Sequence, residues 1–158
     1  MFNFSTIGAY KQVRNNPRCK VNAELQNGMV VLLDEVNKQA AVPASATDAQ
    51  GEDVYVVFNI IDKPEIRNTE DFKIEAGEYV RAFYMKDLNE LPVLLSEHVL
   101  ADYANTSVGD VLVPAGDGTG KWVVPDGTTI IAADYAVNLE VVEKNSFGGN
   151  GIKAIVRA

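Results

Sequence analysis

Apolar residues along this chain fall into short β-branched and aromatic runs, or alternate with polar ones, rather than recurring every three or four positions. Val111–Val113 and Trp122–Val124 are two such runs. Gly116, Asp117, Gly118, Thr119 and Gly120 lie between them, and Pro114 and Pro125 close them. Glycine supplies positive φ in tight turns, and proline is tolerated at strand ends, so the stretch 108–125 predicts a hairpin. The stretch 27–43 repeats the plan, with a strand over Met29–Leu33, a turn over Asp34–Lys38 and a return over Gln39–Val42. Val54–Ile61 predicts a buried strand by length and composition. Glu78–Lys86 and Ile152–Ala158 alternate as well. In Ile130–Val142, Tyr135, Val137, Leu139 and Val141 alternate with Ala136, Asn138 and Glu140, the mark of a half-buried strand.

Between these segments the pattern weakens. Ala44–Asp53 is small and polar and predicts a loop. Asp62–Ala76 predicts a long charged excursion, Leu91–Leu95 a strand after the Lys86–Glu90 turn, and Ser96–Ala104 a single helical turn. The first residues carry Phe2, Phe4, Ile7 and Tyr10 with no periodic companions, and Asn15-Asn16-Pro17 marks a break. This predicts an extended arm. Its tip, where Phe2 and Phe4 alternate with Asn3 and Ser5, is suited to adding as a strand either to a partner or to the protein's own sheet.

The halves resemble each other. Gly28–Pro43 aligns with Gly109–Pro125, and Val54–Asp62 aligns with Tyr135–Glu143. The tripeptide Val-Arg-Ala stands at 80–82 and again at 156–158. A shared order of this kind predicts a duplicated supersecondary unit. The expected organisation is an N-terminal arm (1–23), a β module (24–86), a connector (87–107) and a second β module (108–158). The fold class is all-β, with two related hairpin-rich barrel or sandwich modules and helix below about 15%.

At 158 residues and 47% apolar content the chain is long and hydrophobic enough to bury a core. One cysteine excludes an intrachain disulfide. The first residues lack a signal-peptide core, and no apolar run is long enough to span a bilayer, so synthesis in the cytoplasm and a soluble product are expected. Net charge is −8, yet Lys11, Arg14, Arg18 and Lys20 all precede the first acid, Glu24. A basic, aromatic start on an acidic body is an interaction pattern, and it is also what a solvated terminus looks like. Phe2, Phe4, Ile7, Tyr10, Lys11, Arg14 and Arg18 are the candidate partner-binding residues. The acidic body argues against nucleic acid.

Catalytic chemistry is thin. His98 is the single histidine, far in sequence from Cys19, so a nucleophile–base pair has little to draw on and a Cys/His metal site is excluded by count. Gly116–Lys121 departs from a phosphate loop in spacing, in Trp122 standing where Ser or Thr is needed, and in the strand that follows. Asp110 and Asp117 lack the alternating oxygen ligands of a calcium loop. Asp62, Glu65, Glu70, Asp71 and Glu75 read as a solvated acidic face. Trp122 reads as core, with a stacking platform as the alternative. No enzyme activity and no cofactor are expected.

Val108–Val124, Tyr135–Glu140 and Gly149–Arg157, and more loosely Gly28–Pro43, resemble capsid decoration, or cement, proteins and related head-fibre bases encoded in phage head gene clusters. The resemblance covers a third to a half of the chain and rests on motifs of low specificity. It implies a β-rich, non-enzymatic virion protein on the capsid surface. Its partners would be the major capsid protein and other copies of itself, often as a trimer, with no membrane or nucleic acid. The chain length and the excursion over 62–104 depart from that pattern. A phage tail or neck component, a carbohydrate-binding β module with Trp122 and nearby tyrosines as its platform, and a small hydrolase using an acidic pair are the alternatives.

Overall fold

The computed structural model describes residues 2–4, 14–66, 68–146 and 149–158. In chain order its strands are β1 (Phe2–Phe4), β2 (Asn15–Asn16), β3 (Lys20–Val21), β4 (Val30–Asp34), β5 (Gln39–Ala41), β6 (Tyr55–Val57), β7 (Ala82–Tyr84), β8 (Pro92–Ser96), β9 (Val111–Pro114), β10 (Trp122–Val123), β11 (Asn138–Lys144) and β12 (Gly151–Arg157). One α-helix, α1 (Ala46–Gln50), and short 3-10 turns make 12% of the described residues helical. No described helix is long and apolar enough to cross a membrane.

The strands form two six-stranded sheets. The N-terminal sheet runs β2-β7-β6-β4-β5-β3, and the C-terminal sheet runs β1-β8-β12-β11-β9-β10. Every pairing is antiparallel except β3 with β5. The fold is all-β with two hairpin-rich modules, as expected, and each sheet curls back on itself, Lys20 bridging Tyr79 in the first and Leu100 bridging Trp122 in the second. The main core lies between the sheets. Val30, Val56 and Phe83 face Leu95, Leu112, Leu139, Ile152 and Val156 there, all buried. A second core lies on the far side of the N-terminal sheet. There Phe72 and Ile74 of the charged excursion, with Val80 after it, cover Val31, Val57 and Ala82, together with Cys19 and Val21.

Strand order and hydrogen bonds both repeat. In each half a lead strand (β2, β8) pairs with the last strand of its module (β7, β12), and the four later strands keep one order, β5-β4-β6-β7 and β10-β9-β11-β12. Met29 N–H donates to Gln26 O at 3.1 Å, and Asp110 N–H donates to Ser107 O at 3.1 Å. Gly28 and Gly109, at φ 99° and 93°, donate to Val57 O and Val141 O, each at 2.8 Å. Val57 and Val141 return bonds to Met29 O and Asp110 O at 3.0 and 2.9 Å. The hairpin alignment read from the sequence is therefore in register. The later strands are not. Tyr55 pairs with Val31 where Leu139 pairs with Leu112, and Ala82 pairs with Val57 where Ala154 pairs with Val141. The shared Val-Arg-Ala is consequently a coincidence, since 80–81 precede β7 whereas 156–157 end β12.

The glycine turn joins the sheets. Gly118 N–H donates to Pro43 O at 2.9 Å, Val30 N–H donates to Gly120 O at 2.8 Å, and a Cβ on Gly116 would lie 2.5 Å from Ser45 O. Trp122 is 1% exposed, and its indole N–H donates to Gly28 O at 3.0 Å. It is core.

Several elements differ from the sequence expectation for local reasons. The strand expected over 54–61 ends at Val57. There the Asn59 side chain bonds Tyr79 O and Arg81 N–H, the Asn59 main chain bonds the Asn27 side chain, and Ile60 is turned outward. Ala44–Asp53 contains α1, whose N-cap Ser45 accepts from Asp48 N–H at 3.2 Å. β11 starts only at Asn138, after a 3-10 turn at Ala132–Asp134, although Tyr135, Val137, Leu139 and Val141 are all buried as the alternation required. The strand expected over 78–86 is short, and Ser96–Ala104 holds one 3-10 turn, Glu97–Val99.

Candidate interaction surfaces

The N-terminal stretch is not a free arm where it is described. β1 is extended, as expected, but it lies along β8, with Phe2 opposite Leu95 and Phe4 opposite Val93. Phe2 and Phe4 are 1% and 4% exposed, so in this conformation they fill the protein's own core rather than offering a partner-binding tip. The physical reason is the slot beneath them. Glycine at 28 lets the backbone approach so closely that a Cβ there would stand 3.2 Å from Phe2 Cβ and 3.1 Å from Leu95 Cδ2. Phe2 meets Phe58 edge-on at 5.7 Å, and Phe4 meets Phe83 at 5.3 Å. Arg14 and Arg18 are exposed. Ile7, Tyr10 and Lys11 lie outside the described residues.

A second surface follows from the repeat. Pro92, Ile155, Glu140 and Val111 stand opposite one another across β8, β12, β11 and β9. Their register equivalents in the other sheet are Asn15, Phe83, Val56 and Val30. Alternation places each row on one face of its sheet. In the N-terminal sheet that face packs against the C-terminal sheet, so the two modules stack head to tail. In the C-terminal sheet the same face points outward. Its residues are half-exposed and belong to no core cluster.

Chemistry distinguishes the two faces. Val56 and Met85 stand where Glu140 and Arg157 stand on the open face, and Glu140 Oε2 accepts from Arg157 Nε and Nη2 at 3.1 and 2.8 Å. Beside this pair Val111, Ala132, Ala133 and Asn138 line a shallow recess of about 310 Å³. Lys153 and Glu143 pair nearby at 3.1 Å. The face thus mixes apolar Pro92, Ile155 and Val111 with charges that are paired, Glu140 with Arg157 and Glu143 with Lys153. Sequence reading missed Val111, Glu140, Ile155 and Arg157 as surface candidates. The alternation within 138–144 and 151–157 gave the signal, but not which parity would be left uncovered.

A smaller patch sits where the N-terminal sheet ends. Ile60 and Tyr79 are 67% and 58% exposed around a recess of about 310 Å³ shared with Asp62, Lys63, Phe72 and Glu78. Lys20 lies over the Tyr79 ring at 4.9 Å, and Lys63 pairs with Glu78 at 3.6 Å.

His98 is exposed on its 3-10 turn. Cys19 is buried, and burial pushes its thiol up, away from the reactive thiolate. Asp117 Oδ1 accepts from Thr119 N–H and Oγ1, a local turn, in a glycine loop already packed on 43–45. Asp62, Glu65, Asp71 and Glu75 are exposed. No cluster of His, Cys, Asp and Glu that could hold a metal ion occurs among the described residues.

No protein-family model matches the chain, and comparison with curated proteins and with solved structures gives no match.

Proposed function

We propose that this chain is a structural virion protein that binds the outer surface of a phage capsid and stabilises contacts between capsid subunits, without enzymatic activity. The observation that carries the reading is the open row Pro92–Ile155–Glu140–Val111. Its equivalent row in the same molecule already serves as the seat of a whole β-sheet, so this surface has the shape of an interface. Paired Glu140 and Arg157 keep it soluble while it is uncovered. Apolar side chains interspersed with satisfied charges suit a non-obligate protein–protein interface, which is about as apolar as the rest of a protein surface. The likeness of 108–124, 135–140 and 149–157 to decoration proteins supports the same reading, because those segments build this face. The occupant proposed is the major capsid protein. Repetition over a lattice multiplies a weak single contact, so a shallow face suffices and no deep cleft is needed.

The carbohydrate-binding alternative loses Trp122 from its platform of Trp122 and nearby tyrosines, since that ring is buried.

The test is co-sedimentation of the purified protein with undecorated capsids. Wild-type protein binds to saturation, and Ile155→Asp, a half-exposed position, binds at least tenfold more weakly while remaining folded. Failure of wild-type protein to bind, or unaltered binding by Ile155→Asp, overturns the proposal.

A further inference from the structure

We infer that β1 is an exchangeable strand, and that the slot holding Phe2 and Phe4 takes the same segment from a second copy of this chain. The inference does not depend on the capsid reading and is tested without capsids.

The repeat is the first observation. The two sheets share a run of five strands, β5-β4-β6-β7-β2 and β10-β9-β11-β12-β8, with β3 added beyond β5 in the N-terminal sheet. In the N-terminal sheet the lead strand β2 is an edge, and no described strand lies beyond it. In the C-terminal sheet β1 lies beyond the equivalent strand, β8. The shared five-stranded run thus forms in the N-terminal sheet with no counterpart of β1, which is an addition to it.

The slot is the second observation. Its walls come from Gly28, Phe58, Phe83, Leu95 and Val99, none of them in the N-terminal stretch. Three residue pairs hold the strand to β8. A second copy supplies the same aromatic side chains and the same main-chain bonds, so exchange conserves every contact made within one chain.

The connection is the third. Phe4 touches the ring of Phe83, and Asn15 pairs with Phe83 on the neighbouring sheet. Both ends of the connection thus rest on one residue, while the covalent chain between them extends up to roughly 36 Å at 3.3–3.6 Å per residue. That length exceeds what closure within one chain demands and is enough to reach an adjoining molecule. Crowding raises the effective concentration of foreign tips and shifts the balance from the closed monomer toward exchange.

Single-cysteine chains provide the test, all in a Cys19→Ala background. Asn3 and Leu94 face each other across β1 and β8. Chains bearing Asn3→Cys alone are mixed with chains bearing Leu94→Cys alone and oxidised at concentrations from micromolar to millimolar. The expected result is a cross-linked heterodimer whose yield rises with concentration, matched by concentration-dependent dimers of the wild-type chain in sedimentation. Phe2→Ala/Phe4→Ala chains should dimerise at least tenfold more weakly. Wild-type chains that sediment as monomers throughout this range overturn the inference. So does the absence of an Asn3→Cys/Leu94→Cys heterodimer when the doubly substituted chain closes its own bridge.

Discussion

The indole N–H of Trp122 donates to the carbonyl of Gly28 at 3.0 Å, tying residues 94 positions apart in sequence and joining the second hairpin to the glycine that leads into the first. The bond is buried, so the carbonyl has no water to turn to if the donor is lost. Trp122→Phe keeps most of the ring but strands that carbonyl, at a cost of about 1–3 kcal/mol. For a chain of this size each kcal/mol lowers the melting temperature by roughly 2–4 °C. A thermal melt of the variant that matches wild type would show that the bond carries no stability.

Phe4→Ala removes a ring wedged against Phe83 and Phe58. Truncation of a buried Phe costs about 3–5 kcal/mol. The expected consequence is a clear drop in urea midpoint. Neutralising exposed Arg14 or Arg18 should change the midpoint little, because isolated surface charges contribute within about 1 kcal/mol. A Phe4→Ala midpoint equal to that of Arg18→Gln would show that the tip is not part of the core.

Neighbouring glycines in the turn should differ sharply. Gly118 has φ 80° with open space around it, so Gly118→Ala costs only the left-handed backbone, about 1–2 kcal/mol. At Gly120, φ is 69° and a Cβ would also stand 2.7 Å from Val42 Cγ1 and 3.2 Å from Val30 O. Gly120→Ala therefore adds overpacking of about 1–3 kcal/mol to the same backbone cost. Equal destabilisation of the two variants in urea unfolding would contradict the packing of the turn between the sheets.

Asp126 accepts main-chain N–H bonds from Ile130, Thr128 and Thr129 at 2.8, 2.9 and 2.7 Å, and these hold its carboxyl down at about 2, from an ordinary 3.8. A folded pKa below the unfolded one stabilises the fold above the unfolded value, and that contribution fades as pH falls through the folded value. Asp126→Asn should thus melt below wild type at pH 6. The gap should narrow from pH 3.8 downward and close near pH 2. A gap independent of pH would mean that the turn does not depend on the charge.

Where burial simply followed alternation, the chain was legible. Tyr135, Val137, Leu139 and Val141 are buried as their spacing required, and Trp122 is core. The hairpin repeat was legible because Gly28 and Gly109 each mark the same positive-φ turn before a strand. Three kinds of information were not local. Phe2–Phe4 is too short to carry a period, and its slot is built from residues 28–99. The end of β6 is set by the Asn27–Asn59 side-chain bonds, which bridge distant segments. Which face of the C-terminal sheet stays open depends on which module caps which, and no single strand encodes that. α1 was within reach, since Ser45 followed three residues later by Asp48 is an N-cap signature.

Under the proposed function, the outer face of the C-terminal sheet, the counterpart of a face buried inside the same molecule, meets the capsid. Electron cryomicroscopy of undecorated capsids incubated with the protein tests this directly. The expected result is ordered density on the outer capsid surface, with Val111, Glu140, Ile155 and Arg157 against the capsid protein. Density in which those residues face solvent, or capsids that stay bare at saturating protein, would contradict it.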